Sequence, residues 1–360
     1  MLKQGKRVLF YNAIPMPHSV KMHQLLVEAG YQVEFWYYKD LTTLYPWNSL
    51  KSQHKYFVFG ITDNNLIKLL KHAFSADLVI ITGWHTRIHV ILSFFCYLLN
   101  IKYAYWVDVP EKPKVGFSTR IKRLLLKMTD YLLVTGKEGI NRISIWYNLD
   151  YKKFRDFPYL AADTNEVIIS EFNKDRIFKL ANGSKINVLI SNRFERRKGY
   201  ECVYQALKIT DINLMNNFCF TIIGSGSELD LYKKLFHELQ IDVNFKDWVE
   251  YEEYLKLIME CDILLHASIN EPFGIPPIDA MAHGKLVIAS DGVMSTYDRI
   301  SDGKDGFLFE SGDFEKLSKI LCFLAKNSHI IYDCGAKAAF KSKKYSYKYN
   351  LDVIDSLLIN

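Results

Sequence analysis

Two acidic residues, Glu271 and Asp279, lie eight positions apart in the stretch NEPFGIPPIDAMAHG (residues 270–284), which follows a strand-like apolar run, CDILLHAS. Pro277 suits the first position of a helix, because the N–H that proline lacks would be unpaired there. A helix N-terminus presents its N–H groups to an anion or a polarised oxygen. The stretch therefore predicts a helix that begins at Pro277 and a ligand site at the carboxyl end of a parallel sheet. The alternative is an acidic loop with an aspartate that favours the helix dipole.

Two cations in a second stretch suit an anionic ligand. Arg193 and Lys198 lie in the run NRFERRKG (residues 192–199), directly after a predicted strand. Cations at the carboxyl end of a strand can neutralise a leaving diphosphate, and arginine does so with a planar fork. They also stabilise negative charge that grows on such a group during a reaction. A basic surface turn is the alternative interpretation, and it describes Arg196 and Arg197 well.

The pattern ExFGxxxxxA that starts at Glu271 resembles the signature of the retaining glycosyltransferases of family 4 (glycosyl transferases group 1), which have the GT-B fold. That signature has two glutamates eight apart, and Asp279 stands here in the second position. The resemblance implies that Glu271 lies at the transferred sugar and that Asp279 hydrogen-bonds the nucleotide ribose. It implies that backbone N–H groups of the turn also orient the sugar, namely those of Phe273, Gly274 and Ile275.

The basic run is similar to the family's G-R-L-x-x-x-K-G pattern, with Asn192 in place of the first glycine. The resemblance implies that Arg193 and Lys198 hold the diphosphate of a nucleotide-sugar donor. Gly224, in GSGS after the predicted strand FCFTII, matches a glycine at which the family's backbone approaches the nucleotide; a tight strand-to-helix turn needs the same glycine. The donor is then a substrate, no cofactor is predicted, and the cations take the place of a metal ion.

The first half of the chain resembles the family in architecture alone. His85 and Asp108 each follow a predicted strand, so we expect them at the sheet edge where an acceptor binds. The resemblance implies an acceptor-side role for His85, which is included among the catalytic candidates; a plain loop histidine is the alternative. The first loop, NAIPMPHSV, contains no glycine, and no phosphate contact is predicted there.

The composition is that of a globular protein large enough for two cores, with 360 residues, 49% hydrophobic and 24% charged. A net charge of +6 is too diffuse to predict nucleic-acid binding. Six scattered cysteines without a CxxC pair indicate reduced core residues in a cytosolic chain. No signal-peptide pattern is present at the N-terminus. The apolar segment Ile88–Val107 contains His89 and Lys102, and a buried helix followed by a strand explains it better than a membrane span.

The alternation of strands and helices predicts an α/β protein. The resemblance implies the GT-B fold, two Rossmann-like domains facing across a cleft. A proline-containing polar run places the linker near residue 163. Residues 1–165 are then the N-terminal acceptor-binding domain and residues 166–344 the C-terminal nucleotide-sugar-binding domain. A last helix, about 345–360, is expected to pack back on the first domain.

Residues 112–127 contain a basic cluster, most of it on a predicted helix, Ser118–Met128. Such a cluster on an amphipathic helix favours contact with an anionic membrane surface, which suits a lipid-linked acceptor. A solvated helix face is an equally good interpretation.

The resemblance thus implies a retaining, metal-independent glycosyltransferase. It would move a sugar from a nucleotide-diphosphate sugar to a glycan or lipid-linked acceptor in surface polysaccharide assembly, in the cytoplasm or at the inner face of the membrane. The alternative is a catalytically inactive nucleotide-sugar-binding or scaffold protein, motivated by Asp279 and the glycine-free first loop. A dinucleotide-dependent oxidoreductase needs GxGxxG after the first strand, which NAIPMPHS does not supply.

Overall fold

The computed structural model describes residues 5–39, 56–58, 63–84, 86–109, 112–114, 116–159, 166–345 and 347–359. The chain divides into two compact units, one formed by Met1–Leu160 with Tyr347–Asn360 and the other by Ala161–Ser346. Each unit contains one parallel sheet with helices on both faces, as the alternating sequence pattern predicts.

The first unit has seven described strands and six described helices. The strands are β1 (Arg7–Asn12), β2 (Gln32–Tyr37), β3 (Tyr56–Val58), β4 (Leu78–Thr82), β5 (Tyr103–Val107), β6 (Tyr131–Val134) and β7 (Phe154–Asp156). The helices are α1 (Pro17–Glu28), α2 (Asp63–Phe74), α3 (Arg87–Leu98), α4 (Phe117–Met128), α5 (Lys137–Tyr147) and, from the chain's end, α15 (Tyr347–Ile359). The strand order is β3-β2-β1-β4-β5-β6-β7.

Both faces of this sheet are covered, which is why its strands read as nearly continuous apolar runs. Leu9 and Tyr11 of β1 face the core formed with α2, α3, α4 and α5. Val8 and Phe10 face the opposite core, to which α1 and α15 contribute. Helix α15 therefore packs within the first unit, where Asn350 Nδ2 donates to the carbonyl oxygen of Pro158 at 2.9 Å.

The second unit repeats the arrangement with six strands. They are β8 (Ile186–Ser191), β9 (Phe218–Ile223), β10 (Val243–Lys246), β11 (Ile263–His266), β12 (Leu286–Ser290) and β13 (Phe307–Phe309), in the order β10-β9-β8-β11-β12-β13. The helices are α6 (Glu166–Ala181), α7 (Tyr200–Ile209), α8 (Ile212–Met215), α9 (Leu229–Glu238), α10 (Tyr251–Glu260), α11 (Ile275–Ala282), α12 (Met294–Tyr297), α13 (Phe314–Lys326) and α14 (His329–Ser342). Helices α7, α9 and α13 cover one face of the sheet, and α10 and α11 cover the other.

The structure corrects one boundary at the predicted site. Helix α11 begins at Ile275, two residues before Pro277, because Gly274 adopts a φ of +93° and turns the chain immediately before it. Both prolines then lie in the first turn, where no helical N–H is required. The predicted linker near residue 163 lies outside the described residues.

The segment Ile88–Val107 is divided between α3 and β5 rather than forming one apolar helix. Within the described ranges, no helix is long and apolar enough to cross a membrane. The six cysteines are free thiols, and four of them are buried, as expected for reduced core residues.

Candidate active site

The loops that follow β8 and β11 lie side by side, because these two strands are neighbours at the centre of the second sheet. Ile269 N donates to the carbonyl oxygen of Arg197 at 2.8 Å and joins the two loops. Gly199 makes the approach possible, since a Cβ atom there would lie 1.9 Å from the carbonyl oxygen of Ala267. The strand order reverses at this point, which is where open α/β sheets bind ligands.

Lys198 and Glu271, predicted separately from the two stretches, form an ion pair through Lys198 Nζ and Glu271 Oε2. Their side chains are only 7% and 14% exposed. The backbone of Glu271 is fixed by hydrogen bonds on both sides, from its N–H to Gly292 O at 2.9 Å and from Met294 N to its carbonyl at 3.2 Å. The carboxylate is therefore held in one place beside a cation.

His266, the last residue of β11, is part of this site and was not predicted. Its Nε2 lies 3.6 Å from Glu271 Oε2, and its side chain is 1% exposed. Burial lowers the pKa of His266, so the ring is neutral at pH 7 and serves as a hydrogen-bonding group rather than a cation. A histidine at the end of an otherwise apolar strand run was the signal available in the sequence.

The charge on Glu271 is stabilised by these neighbours. Burial raises the pKa of its carboxyl, but the polar contact with His266 and the positive charge of Lys198 outweigh burial and lower the pKa to about 2. Burial lowers the pKa of Lys198, and the Glu271 carboxylate opposes that effect. The site thus holds a charged carboxylate in a largely buried setting.

Asn192, which stands where the resemblance predicts a glycine, connects the two loops through its side chain. Its Nδ2 lies 3.4 Å from both ring nitrogens of His266 and 3.3 Å from Ser268 Oγ. Its carbonyl oxygen accepts a hydrogen bond from the Tyr200 hydroxyl at 3.0 Å. Gly224 packs directly against this residue, since a Cβ atom there would lie 1.9 Å from Asn192 O.

Arg193, the predicted diphosphate ligand, is paired with a carboxylate of its own turn. Its Nη2 lies 2.6 Å from Glu195 Oε1, and both side chains are 27% exposed. The second oxygen of Glu195 lies 3.0 Å from Arg197 Nε. The basic turn is therefore an ordered network of charges next to the Lys198–Glu271 pair.

The predicted backbone donors, Phe273, Gly274 and Ile275, form the turn into α11. The carbonyl oxygen of Phe273 accepts from Ser295 N at 2.8 Å, and the Phe273 ring is buried. A Cβ atom at Gly274 would lie 2.8 Å from a methyl group of Val293, so glycine is needed for both space and φ. The turn is thus rigidly positioned beside Glu271.

Asp279 lies in the second turn of α11 and is 1% exposed. Its Oδ2 accepts a hydrogen bond from the Tyr254 hydroxyl at 2.9 Å, across from α10. Burial raises the pKa of Tyr254, and the charge of Asp279 raises it further, so this hydroxyl remains protonated and donates. In this structure the aspartate therefore joins two helices of the second unit.

In the first unit, Asp108 follows β5, at the predicted sheet edge. It interacts with the buried Tyr159 hydroxyl, whose pKa is raised by burial and by the Asp108 charge. A polar pair lies at the ends of the neighbouring strands, where Thr82 Oγ1 donates to Asn12 Oδ1 at 2.5 Å. His85 lies outside the described residues. Among the residues that the structure describes, no group of three or more histidine, cysteine, aspartate or glutamate side chains is arranged to hold a metal ion.

Chemically, the second unit presents cations, a charged carboxylate and a neutral histidine at the carboxyl edge of its sheet. Arg193 and Lys198 are suited to an anion with several oxygens, such as a diphosphate. Glu271 is suited to accept hydrogen bonds from hydroxyl groups.

Residues 171–342 match the model of the family described as "Glycosyl transferases group 1". A Klebsiella pneumoniae protein named "Uncharacterized 41.2 kDa protein in cps region" is 30% identical over 224 residues, which are 59% of this chain and 55% of that protein. This chain thus spans little more than half of that relative's length. A Haemophilus influenzae "Uncharacterized glycosyltransferase" is 24% identical over 91% of both chains.

Among solved structures, HepE from Anabaena in complex with UDP and glucose is similar, with a TM-score of 0.75 and 16% identity. The similarity covers 98% of this chain and 99% of that one, and at this identity it establishes the fold.

Proposed function

Since residues 171–342 match the glycosyl transferases group 1 family model and the chain has the GT-B fold, we propose that this protein is a retaining glycosyltransferase. It transfers a sugar from a nucleotide-diphosphate sugar to a glycan or lipid-linked acceptor. The observation that carries the proposal is the ion pair of Lys198 with Glu271 at the point where the strand order of the second sheet reverses.

In the proposed reaction the second unit binds the donor. Arg193 and Lys198 neutralise the diphosphate, whose negative charge grows as the sugar–phosphate bond breaks. Glu271 and the backbone of Phe273–Ile275 orient the sugar, and Asp279 is proposed to hydrogen-bond the ribose of the nucleotide. These cations supply the charge that a divalent ion supplies elsewhere, so the proposed reaction is independent of metal.

The first unit is proposed to bind the acceptor, with Asp108 and His85 as candidate contacts. The Klebsiella relative's description, a protein of the cps region, supports a role in surface polysaccharide assembly. Helix α4 supports contact with an anionic membrane, since its Phe117 and Leu124 side chains are 79% and 49% exposed beside basic residues. A membrane-bound acceptor would meet the enzyme there.

A thermal-shift screen with UDP, GDP, ADP and TDP in EDTA tests the donor site. A ligand that binds the native state raises its apparent stability by mass action. We expect one nucleoside diphosphate to raise the melting temperature selectively. Arg193→Ala should abolish the shift, because the guanidinium group that binds the diphosphate through two N–H groups is then missing. Lys185→Ala is a matched control, since that lysine pairs with Asp242 at 2.8 Å on the surface.

The proposal fails if wild-type protein shows no shift with any of the four nucleotides. It also fails if Lys185→Ala and Arg193→Ala reduce the shift equally, because the loss would then reflect net charge rather than the site. A shift that needs added magnesium would contradict metal independence.

A further inference from the structure

The Glu195 carboxylate bridges two arginines of the basic turn. Its Oε1 lies 2.6 Å from Arg193 Nη2 and its Oε2 lies 3.0 Å from Arg197 Nε. The Glu195 side chain is 27% exposed, so the carboxylate is reached by solvent while engaged on both sides. Each oxygen thus has its own cation.

The turn does not depend on this carboxylate for its shape. Backbone hydrogen bonds from Glu195 N to Arg193 O at 2.9 Å and from Lys198 N to Glu195 O at 2.8 Å close it. The Phe194 ring stacks on Tyr200 with a centroid separation of 4.2 Å and anchors it in the core. These contacts do not use the Glu195 carboxylate, so they remain when its charge is removed.

Both cations assigned to the diphosphate are paired with carboxylates. Lys198 is paired with Glu271, to which the proposed reaction gives a role at the sugar. Arg193 is paired with Glu195, which has no role in that reaction. A diphosphate that binds Arg193 must share or replace this partner.

We propose that Glu195 is an internal counter-ion of the diphosphate site, which the diphosphate of the donor displaces from Arg193 and which thereby sets the affinity for nucleoside diphosphates. This inference rests on the proposed function. Displacement is made easier by Arg197, since it retains the other carboxylate oxygen and Glu195 is not left unpaired.

The charge balance of the turn supports this role. Residues 193–198 contain three arginines, one lysine and one glutamate, and Glu271 adds a second carboxylate, which leaves an excess of two positive charges. A carboxylate about 6 Å from a doubly charged diphosphate weakens its binding by roughly tenfold in a water-like dielectric. Salt reduces this effect, because the groups are partly exposed.

Isothermal titration of full-length wild type, Glu195→Gln and Glu195→Ala with UDP, GDP and ADP in EDTA tests the proposal. Both variants should bind the preferred nucleotide roughly tenfold more tightly at low ionic strength, with a smaller gain at high ionic strength. Glu253→Gln is the matched control and should bind as wild type does, since that carboxylate pairs with Lys246 at 3.2 Å on the surface of the same unit.

Unchanged or weaker binding by both Glu195 variants, with wild type binding normally, overturns the counter-ion role and leaves the donor site intact. Tighter binding by Glu253→Gln to the same extent also overturns it, because net charge alone would then explain the gain. If wild type binds none of the three nucleotides, the proposed function fails and this inference fails with it.

Discussion

The Glu271 carboxyl is the titratable group whose setting links charge, stability and the proposed chemistry. Its pKa is lowered from 4.5 to about 2, so the folded state favours the charged form. The corresponding stabilisation is fully present above about pH 4.5 and is lost as the pH falls towards 2. The pKa of His266 is also lowered, so the unfolded chain takes up that proton first and stability falls as the pH drops below about 6.5.

Replacing His266 tests its role as a positioning residue for Glu271. In His266→Leu the polar contact of the ring with the carboxylate is lost, so we expect turnover of the donor to fall roughly ten- to a hundredfold. The acid limb of the pH–rate profile should move to higher pH, because the carboxylate form of Glu271 loses stabilisation. The measurement is donor consumption against pH, with the donor identified by the nucleotide screen.

Two further variants show whether the loss of rate in His266→Leu comes from the missing N–H donor. His266→Gln retains a side-chain N–H donor and should recover part of the rate, and Glu271→Ala should abolish donor consumption. An acid limb in His266→Leu that coincides with wild type would refute the positioning role. Wild-type protein that binds nucleotide but consumes no donor would instead support the inactive, scaffold-like alternative.

The loops after β8 and β11 meet through a backbone approach that only glycine allows. Gly199 has a φ of +74°, and a Cβ atom there would clash with the carbonyl oxygen of Ala267 at 1.9 Å. Gly303 has nearly the same φ, +71°, but no atom within 4 Å of a Cβ position. Comparing the stabilities of alanine variants at the two glycines therefore separates the cost of backbone strain from the cost of forcing the loops apart.

We expect Gly303→Ala to lower the free energy of unfolding by about 1 kcal/mol, the cost of a left-handed alanine. Gly199→Ala should lower it by roughly 3 kcal/mol or more, because a backbone must also shift. It should also weaken nucleoside diphosphate binding, since Lys198 precedes the displaced residue. Urea denaturation gives the stabilities; equal losses in the two variants would contradict a close contact at Gly199.

The surface of helix α4 combines exposed apolar and basic groups. Phe117 and Leu124 are 79% and 49% exposed, and their spacing of seven positions places them on one face of the helix. Lys112, Lys114 and Arg120 are exposed nearby in the chain. An apolar surface bordered by basic residues is suited to the interface of an anionic membrane.

Vesicle co-sedimentation tests this surface on the whole protein. Wild type should bind vesicles containing phosphatidylglycerol and not vesicles of phosphatidylcholine alone, and salt should weaken the binding. The double variant Phe117→Ser, Leu124→Ser should bind roughly tenfold less, because apolar area no longer enters the interface. Phe340→Ser, at a 75% exposed site of the second unit, is the control, and an equal loss there would contradict a specific surface.

The sequence alone determined those properties that depend on residues close together in the chain. Continuous apolar runs with helical stretches between them predicted two parallel sheets, because strands covered on both faces must be apolar throughout. Glu271, Lys198 and Arg193 were identified as candidates because each follows a strand, where ligands bind, and because the runs that contain them resemble the motifs of a known family. The start of α11 was wrong by two residues, since the turn at Gly274 is not specified by the proline positions.

Only the tertiary structure decided which of these residues meet. Lys198 and Glu271 are 73 residues apart, and their contact depends on β8 and β11 being neighbours in the sheet. The same adjacency brings His266 to Glu271 and Asn192 to His266. Hydrophobic periodicity records which face of an element is buried, but the partner of a polar side chain is fixed by strand order and close packing, which no local pattern encodes.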